Sequence, residues 1–260
     1  MRNPFRAPWV ASRYAVARPN IHTQILDHVR RTVPENELGG IGLDVGCGAG
    51  LSAVALAEVT SRVVAVDTSA EMLAHAREHS CVTYVQSLAE ELPFRSATFD
   101  ISTVGCTFHW CHPVKLLDEL YRVLRSAGWL VIYDNGFMGP TEAFPEFERW
   151  HRAVYQRRYP APPRHPQFHP FKTVTTGFRV FASEFLQEAV PFTVSKLATY
   201  LTTQSNVVAA VEAGKEGVEE VESWLADELT SIFKSAPGCQ AEATRDFTFG
   251  GYVSYLRAVK

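Results

Sequence analysis

The run Leu43-Asp44-Val45-Gly46-Cys47-Gly48-Ala49-Gly50-Leu51 constrains this chain more than any other segment. Ile41 to Val45 has the composition of a short buried strand and Leu51 to Val59 that of a helix facing it, so the three glycines fall in the strand-to-helix turn. Glycine reaches positive φ and lets the backbone approach a ligand closely, and the first turn of the helix beyond offers unpaired N–H groups. A dinucleotide fold uses this geometry for a pyrophosphate. Here Asp44 sets a carboxylate beside the cradle, and Leu51 stands where the G-x-G-x-x-G fingerprint has its last glycine. Both features disfavour a dinucleotide, and the acid favours a ligand with a cationic end.

The second strand, Arg62 to Val66, ends in Asp67, about twenty residues past the first loop glycine, the place of a ribose-binding acid. Asp67-Thr68-Ser69 also precedes a helix expected over Ala70 to His79, so Asp67 is placed to cap that helix unless Ser69 does so. S-adenosylmethionine, with an ammonium, a sulfonium and a ribose, answers both carboxylates.

With these residues in view, the chain resembles the class I S-adenosylmethionine-dependent methyltransferases over residues 14 to 135, in particular the small-molecule type of the trans-aconitate methyltransferase-like subgroup. LDVGCGAG is similar to their first motif, VVAVDTSAEML to the segment of the second-strand acid, and AEELPFRSATFD to the segment between the third and fourth strands. The resemblance implies that Asp44, Gly46, Cys47, Gly48 and Gly50 hold the methionine end of the cofactor and that Asp67 binds the ribose, with Thr68 and Met72 beside it. It further implies that Leu88, Ala89 and Glu90 flank the adenine, Leu88 replacing the Asp of many relatives, and that Val104 and Gly105 close the site from the fourth strand.

Two more segments extend the resemblance. Tyr14-x3-Arg18-Pro19, ahead of a helix expected from about Ile21 to Arg31, is similar to an arm that folds over the cofactor, where Arg18 would pair with the methionine carboxylate. A surface charge before a helix is the other reading of Arg18. After the fourth strand, Gly105 to His112 contains His109-Trp110, similar to the His-Trp element of the same subgroup. His109 suits a general base near neutral pH and Trp110 a wall of the substrate site; a hydrogen bond to the lid and simple packing are the alternatives. His112, before Pro113, reads as a helix-entry residue.

The remaining elements alternate. Val82 to Val85, Phe99 to Val104 and Trp129 to Tyr133 read as strands, and Pro113 to Arg125 as a helix. The expected fold is α/β: a Rossmann-like, seven-stranded methyltransferase sheet, mostly parallel, with helices on both faces and a C-terminal antiparallel hairpin turning at Gly250-Gly251. One domain is expected over 1–260, with an N-terminal arm and helix (1–35), a cofactor-binding core (36–135), a substrate-covering insertion (136–204) and a C-terminal helix and hairpin (205–260). The insertion is rich in proline and aromatics. Most of these aromatics pack it onto the sheet, with Phe137, Trp150, Tyr159 and Phe168 as candidates for an apolar substrate pocket. His165 and His169 have metal-like spacing, but Pro166 between them disrupts a shared helical face.

Composition narrows the function. A chain of 260 residues, 46% hydrophobic, can fill one large core, and a formal net charge of -3 without a basic run argues against a nucleic-acid substrate. No membrane-length apolar stretch or export signal is visible, and the five scattered cysteines lack a C-x-x-C pair, which together suggest the cytoplasm. The expectation is a metal-independent enzyme, monomer or homodimer, that moves a methyl group from S-adenosylmethionine to a small, partly apolar or aromatic metabolite and leaves S-adenosylhomocysteine. A non-catalytic protein that binds either compound as a sensor or partner is the alternative, and an NAD-linked oxidoreductase is disfavoured by Asp44 and Leu51.

Overall fold

The computed structural model describes residues 7–162, 177–235 and 244–260. Two helices, α1 (Pro8–Ala17) and α2 (His22–Thr32), precede the sheet. The alternating part follows as β1 (Ile41–Val45), α3 (Leu51–Leu56), β2 (Arg62–Asp67), α4 (Ala70–Ala74), β3 (Val82–Gln86), β4 (Phe99–Gly105), α5 (Pro113–Val123) and β5 (Leu124–Tyr133). These five strands are parallel, in the order β3-β2-β1-β4-β5. β1 and β4 are central and nearly all buried because helices cover both faces, so their sequences read as apolar runs rather than as alternation. α5 shows how a covering helix is specified: His112 accepts the Lys115 N–H, Pro113 starts the first turn, and Leu116, Leu117, Leu120 and Val123 bury one face.

The antiparallel part departs from the expectation of a C-terminal hairpin and of seven strands. Arg245 to Ala258 is a single strand, β8, and Gly250-Gly251 lies inside it rather than at a hairpin turn. Its second half pairs with β5, from Trp129↔Arg257 to Tyr133↔Val253, and its first half with β6 (Gly136–Pro140), from Gly136↔Gly250 to Pro140↔Phe247. The two glycines sit where β8 passes from one partner to the other. A Cβ on Gly251 would overlap the backbone of Asp134, so this is a site of close backbone approach. The antiparallel partner along the other side of β8 is β7 (Phe178–Phe192), which completes an eight-stranded sheet.

Consequently residues 136–204 are not wholly an insertion above the sheet, since β6 and β7 belong to it. The rest of that segment joins helices assigned from sequence to the C-terminal part. α6 (Pro145–Trp150) continues through a π-helical turn, His151–Tyr155, to Arg158. It shares one apolar core with α7 (Val194–Thr202), α8 (Ser205–Glu212) and α9 (Val218–Ser235), built from residues such as Phe147, Trp150, Leu201, Leu225 and Phe233. These helices form a cap whose core also takes in Phe247 and Phe249 of β8. Among the described residues no helix is long and apolar enough to cross a membrane.

Candidate active site

The β1-to-α3 turn is shaped by its protein neighbours. Gly46 and Gly50 have φ of 72° and 80°, in the left-handed region that favours glycine. A Cβ on Gly46 would overlap Thr107, and one on Gly50 would overlap the Tyr84 hydroxyl. The Thr107 hydroxyl donates to the Gly46 carbonyl at 3.1 Å, tying the turn to the segment after β4.

Asp67 lies at the tip of β2 and accepts the Gly48 N–H and the Ser69 N–H, both at 2.9 Å. The Ser69 hydroxyl accepts the Met72 N–H and so caps α4. Burial raises the Asp67 carboxyl above its usual range, and the backbone N–H groups oppose that shift. The Thr68 N–H also hydrogen-bonds this carboxylate, and of its roughly four lone-pair positions at least one remains for a further donor.

One expected contact is corrected. Asp44 is fully buried: Ser52 Oγ donates to one oxygen at 2.6 Å and Thr103 Oγ1 to the other at 2.8 Å. It therefore holds β1, α3 and β4 together instead of facing the cradle, and burial pushes its carboxyl up to about 6. Val104, near the end of β4, is buried, as are Met72 and Ala89. Gly105 and Cys47 are also buried; a Cβ on Gly105 would run into the Tyr133 ring.

The N-terminal arm lies across the cradle. Ala11 packs with Ala49 and Met72, and Tyr14 borders that cluster. Arg18 is the C-cap residue of α1, one helical turn after Tyr14, and its N–H donates to the Tyr14 carbonyl at 3.2 Å. The guanidinium Cζ lies 4.6 Å from the Tyr14 ring and 5.1 Å from the Tyr200 ring of α7, and Nη2 donates to the Thr203 carbonyl at 2.8 Å. Its Nε is buried without an acceptor. Tyr14 is within electrostatic reach of Arg18, Cys106, Asp67 and Asp134, so the arm, the turn and the carboxyl ends of β4 and β5 converge.

At those ends His109 sits in a 3-10 turn (Phe108–Trp110), its Nδ1 3.5 Å from Asp134 Oδ2 and its ring 5.0 Å from that of Trp110. Leu88 is exposed and Ala89 buried, while the Glu90 carboxylate accepts the His112 N–H at 2.7 Å and thereby steadies the start of α5.

Of the substrate candidates, Phe137 lies at the cap boundary, its ring 5.8 Å from Tyr200 and 5.8 Å from His151. Trp150 and Tyr159 are corrected: both are buried in the cap core, with Trp150 Nε1 donating to Glu228 at 2.7 Å and the Tyr159 hydroxyl to Glu216 at 2.9 Å. Phe168, His165 and His169 lie outside the described residues.

Several residues of the site were not singled out from sequence. Tyr200 and Thr203 meet Arg18 from nearly two hundred residues away, and no local pattern signals that. Asp134 is different: its place directly after β5 at the ligand-binding edge is a usable signal. His22 pairs with the buried Tyr133 hydroxyl at 2.8 Å, and burial, with help from Arg18 and Arg77, lowers its pKa to about 4, so this ring is neutral near pH 7.

Residues 43–132 match a methyltransferase domain family. The matched segment, about a third of the chain, is a methyltransferase domain. With that domain go methyl transfer as its chemistry and S-adenosylmethionine as the methyl donor. A Dictyostelium discoideum protein assigned as a methyltransferase is 23% identical over 212 residues, covering 80% of each chain. Malonyl-(acyl-carrier protein) O-methyltransferases of Pectobacterium atrosepticum and Enterobacter lignolyticus are 39% and 33% identical over 88 and 117 residues. Those matches span 35% and 45% of these two relatives. In fold, a protein of Anaeromyxobacter dehalogenans assigned as a type II methyltransferase superposes with a TM-score of 0.66 at 22% identity, over 93% of this chain and 96% of that one. One from Bacillus halodurans gives 0.54 at 21%, over 91% and 99%.

The methyltransferase residues present fit the donor. Asp67, with three N–H groups on it, keeps acceptor capacity for a hydroxyl donor, the turn between β1 and α3 lies under the arm, and Arg18 offers a buried N–H donor with no acceptor of its own.

Proposed function

We propose that this methyltransferase acts on a small, partly apolar or aromatic metabolite bound between the carboxyl ends of β4 and β5 and the helical cap. The observation that carries the reading is the His109–Asp134 pair, which stands at that edge beside the donor cradle.

S-adenosylmethionine, when bound, supplies a methyl group already made electrophilic by the sulfonium. In this reading the turn Gly46–Gly50, Asp67, Thr68, Met72, Leu88, Ala89, Glu90 and Gly105 hold the donor, and Tyr14 and Arg18 cover its amino-acid end. What remains for the protein is to align the acceptor and exclude water. The cap supports that role, since Tyr200 and Thr203 reach Arg18 and Phe137 borders Tyr200.

Asp134 faces His109 Nδ1, which leaves Nε2 as the nitrogen for substrate. An acceptor hydroxyl would pass its proton to that nitrogen as the oxygen–methyl bond forms. The malonyl-(acyl-carrier protein) relatives match over 88 and 117 residues, 33% and 44% of this chain, so they support methyl transfer and leave the acceptor open.

The test is methyl transfer from isotopically labelled S-adenosylmethionine to a panel of small phenols, hydroxylated and amino metabolites and carboxylic acids, followed by mass spectrometry. A labelled product that disappears with His109→Ala supports the reading. Donor binding without product from any class would overturn it.

A further inference from the structure

We infer that the free edge of β7 is the interface of a symmetric homodimer, in which two copies of this chain pair their β7 strands antiparallel about Phe185. The inference goes beyond the functional reading above and does not depend on it. β7 is fifteen residues long, and its antiparallel ladder with β8 runs from Phe178 to Phe192. Among the described residues its other side meets no strand, so alternate N–H and C=O groups along that side are open to a further chain. Proteins blunt such edges with lysine, proline or bulges. Here a bulge between Val180 and Ala182 and the proline at 191 guard only the two ends, and the run from Ala182 to Val190 carries neither lysine nor proline. Exposed apolar side chains gather on the same strand. Phe185 is 62% exposed, Phe181 58% and Val180 38%, and Met138, 54% exposed, lies beside Gln187, whose Nε2 donates to its Sδ at 3.5 Å.

The charges on the strand select a second copy and its register. Residues directly opposite in an antiparallel pair share a face, so like charges there repel. A two-fold axis at Phe185 sets that ring against its copy, Ser183 against Gln187, Glu184 against Leu186 and Ala182 against Glu188. An aromatic pair then lies on the axis, with a polar pair beside it and no two carboxylates opposed. An axis at Glu184 would oppose that acid to itself, one at Leu186 would oppose Glu184 to Glu188, and one at Gln187 would set Ser183 against Pro191, which has no N–H to give. Phe185 is also the middle residue of β7, so the register without repulsion is the one with the longest overlap. Fifteen residues at about 3.4 Å each, in a sheet about 10 Å thick, present about 500 Å² per copy, and about 1,000 Å² in all is the lower bound of a specific interface. The contact therefore has the size of a reversible dimer, and its two-fold symmetry consumes both edges, so assembly stops at two.

Analytical ultracentrifugation of the full chain from about 1 to 100 μM, where a contact of this size dissociates, reads the oligomeric state. A concentration-dependent dimer is expected. Phe185→Lys, a change at an exposed position, should raise its dissociation constant by about 10-fold or more with the unfolding midpoint unchanged. Oxidative cross-linking reads the register, against wild-type protein whose own five cysteines set the background. Phe185→Cys should yield a covalent dimer, because its two copies face each other across the axis. Glu188→Cys alone should not, whereas a mixture of Ala182→Cys and Glu188→Cys proteins should. If Phe185→Lys proves less stable, the cysteine variants decide alone. A monomer over the whole range, a dimer indifferent to Phe185→Lys, an assembly larger than two, or equal cross-linking of Phe185→Cys and Glu188→Cys would each overturn the inference.

Discussion

His109 Nδ1 lies 3.5 Å from Asp134 Oδ2, so the turn after β4 and the end of β5 present a histidine with one ring nitrogen facing a carboxylate. Replacing His109 by Ala should lower the rate of methyl transfer to an oxygen acceptor by about 100-fold, a usual size for loss of a general base, with S-adenosylhomocysteine affinity little changed. Asp134→Asn should give a smaller loss of the same kind. Single-turnover kinetics beside calorimetry checks this; equal rates in His109→Ala would make the pair structural.

Asp67 accepts N–H groups from both the cradle and the start of α4, so its removal affects binding and local order together. We expect Asp67→Ala to weaken S-adenosylhomocysteine binding by about 1.5 to 3 kcal/mol. Unchanged calorimetric affinity would reduce Asp67 to a tie between two backbone segments.

Gly46 combines a left-handed φ with contact against Thr107. Gly46→Ala should cost at least about 2 kcal/mol of stability, from backbone strain and overlap together, measurable by urea unfolding without any ligand. A change below half that value would mean the turn relaxes freely.

His22 carries a pH dependence with a definite sign. Its folded pKa of about 4 lies below the ordinary 6.5, burial being the main cause. The unfolded chain therefore binds more protons between those values, and the contribution of this ring, present above about pH 6.5, is lost as the pH falls towards 4. Unfolding free energies for wild type and His22→Gln, which keeps an acceptor for Tyr133, should diverge across this interval by on the order of 3 kcal/mol. Parallel curves would show that the ring protonates without penalty.

Trp150 is a cap-core residue with its N–H on Glu228. Trp150→Phe should lower the unfolding midpoint through the lost hydrogen bond, about 1 kcal/mol, and leave the KM for any acceptor unaltered. A raised KM with normal stability would return Trp150 to the substrate pocket.

The glycine turn, the acid at the tip of β2, the Ser69 cap and the parallel strands were legible because each is written in neighbouring residues: an apolar run, a turn former, a capping hydroxyl. The sequence by itself determined this alternating half and hence the donor class. Gly250-Gly251 carried an equally clear local signal with a different cause, since the strand continues through both glycines and Gly251 is met by the backbone of Asp134 in the β5–β6 connection. Which acids and aromatics face a ligand was decided only by the tertiary structure. Asp44 turned inward because Ser52 and Thr103 meet it from α3 and β4, and Trp150 and Tyr159 because α9 and its approach supply their partners. Arg18 gained Tyr200 and Thr203 by folding across nearly two hundred residues. Period and spacing along a chain encode which face of an element is apolar, but the partner of a buried polar group is fixed by contacts between elements, and these exist only once the chain has closed on itself.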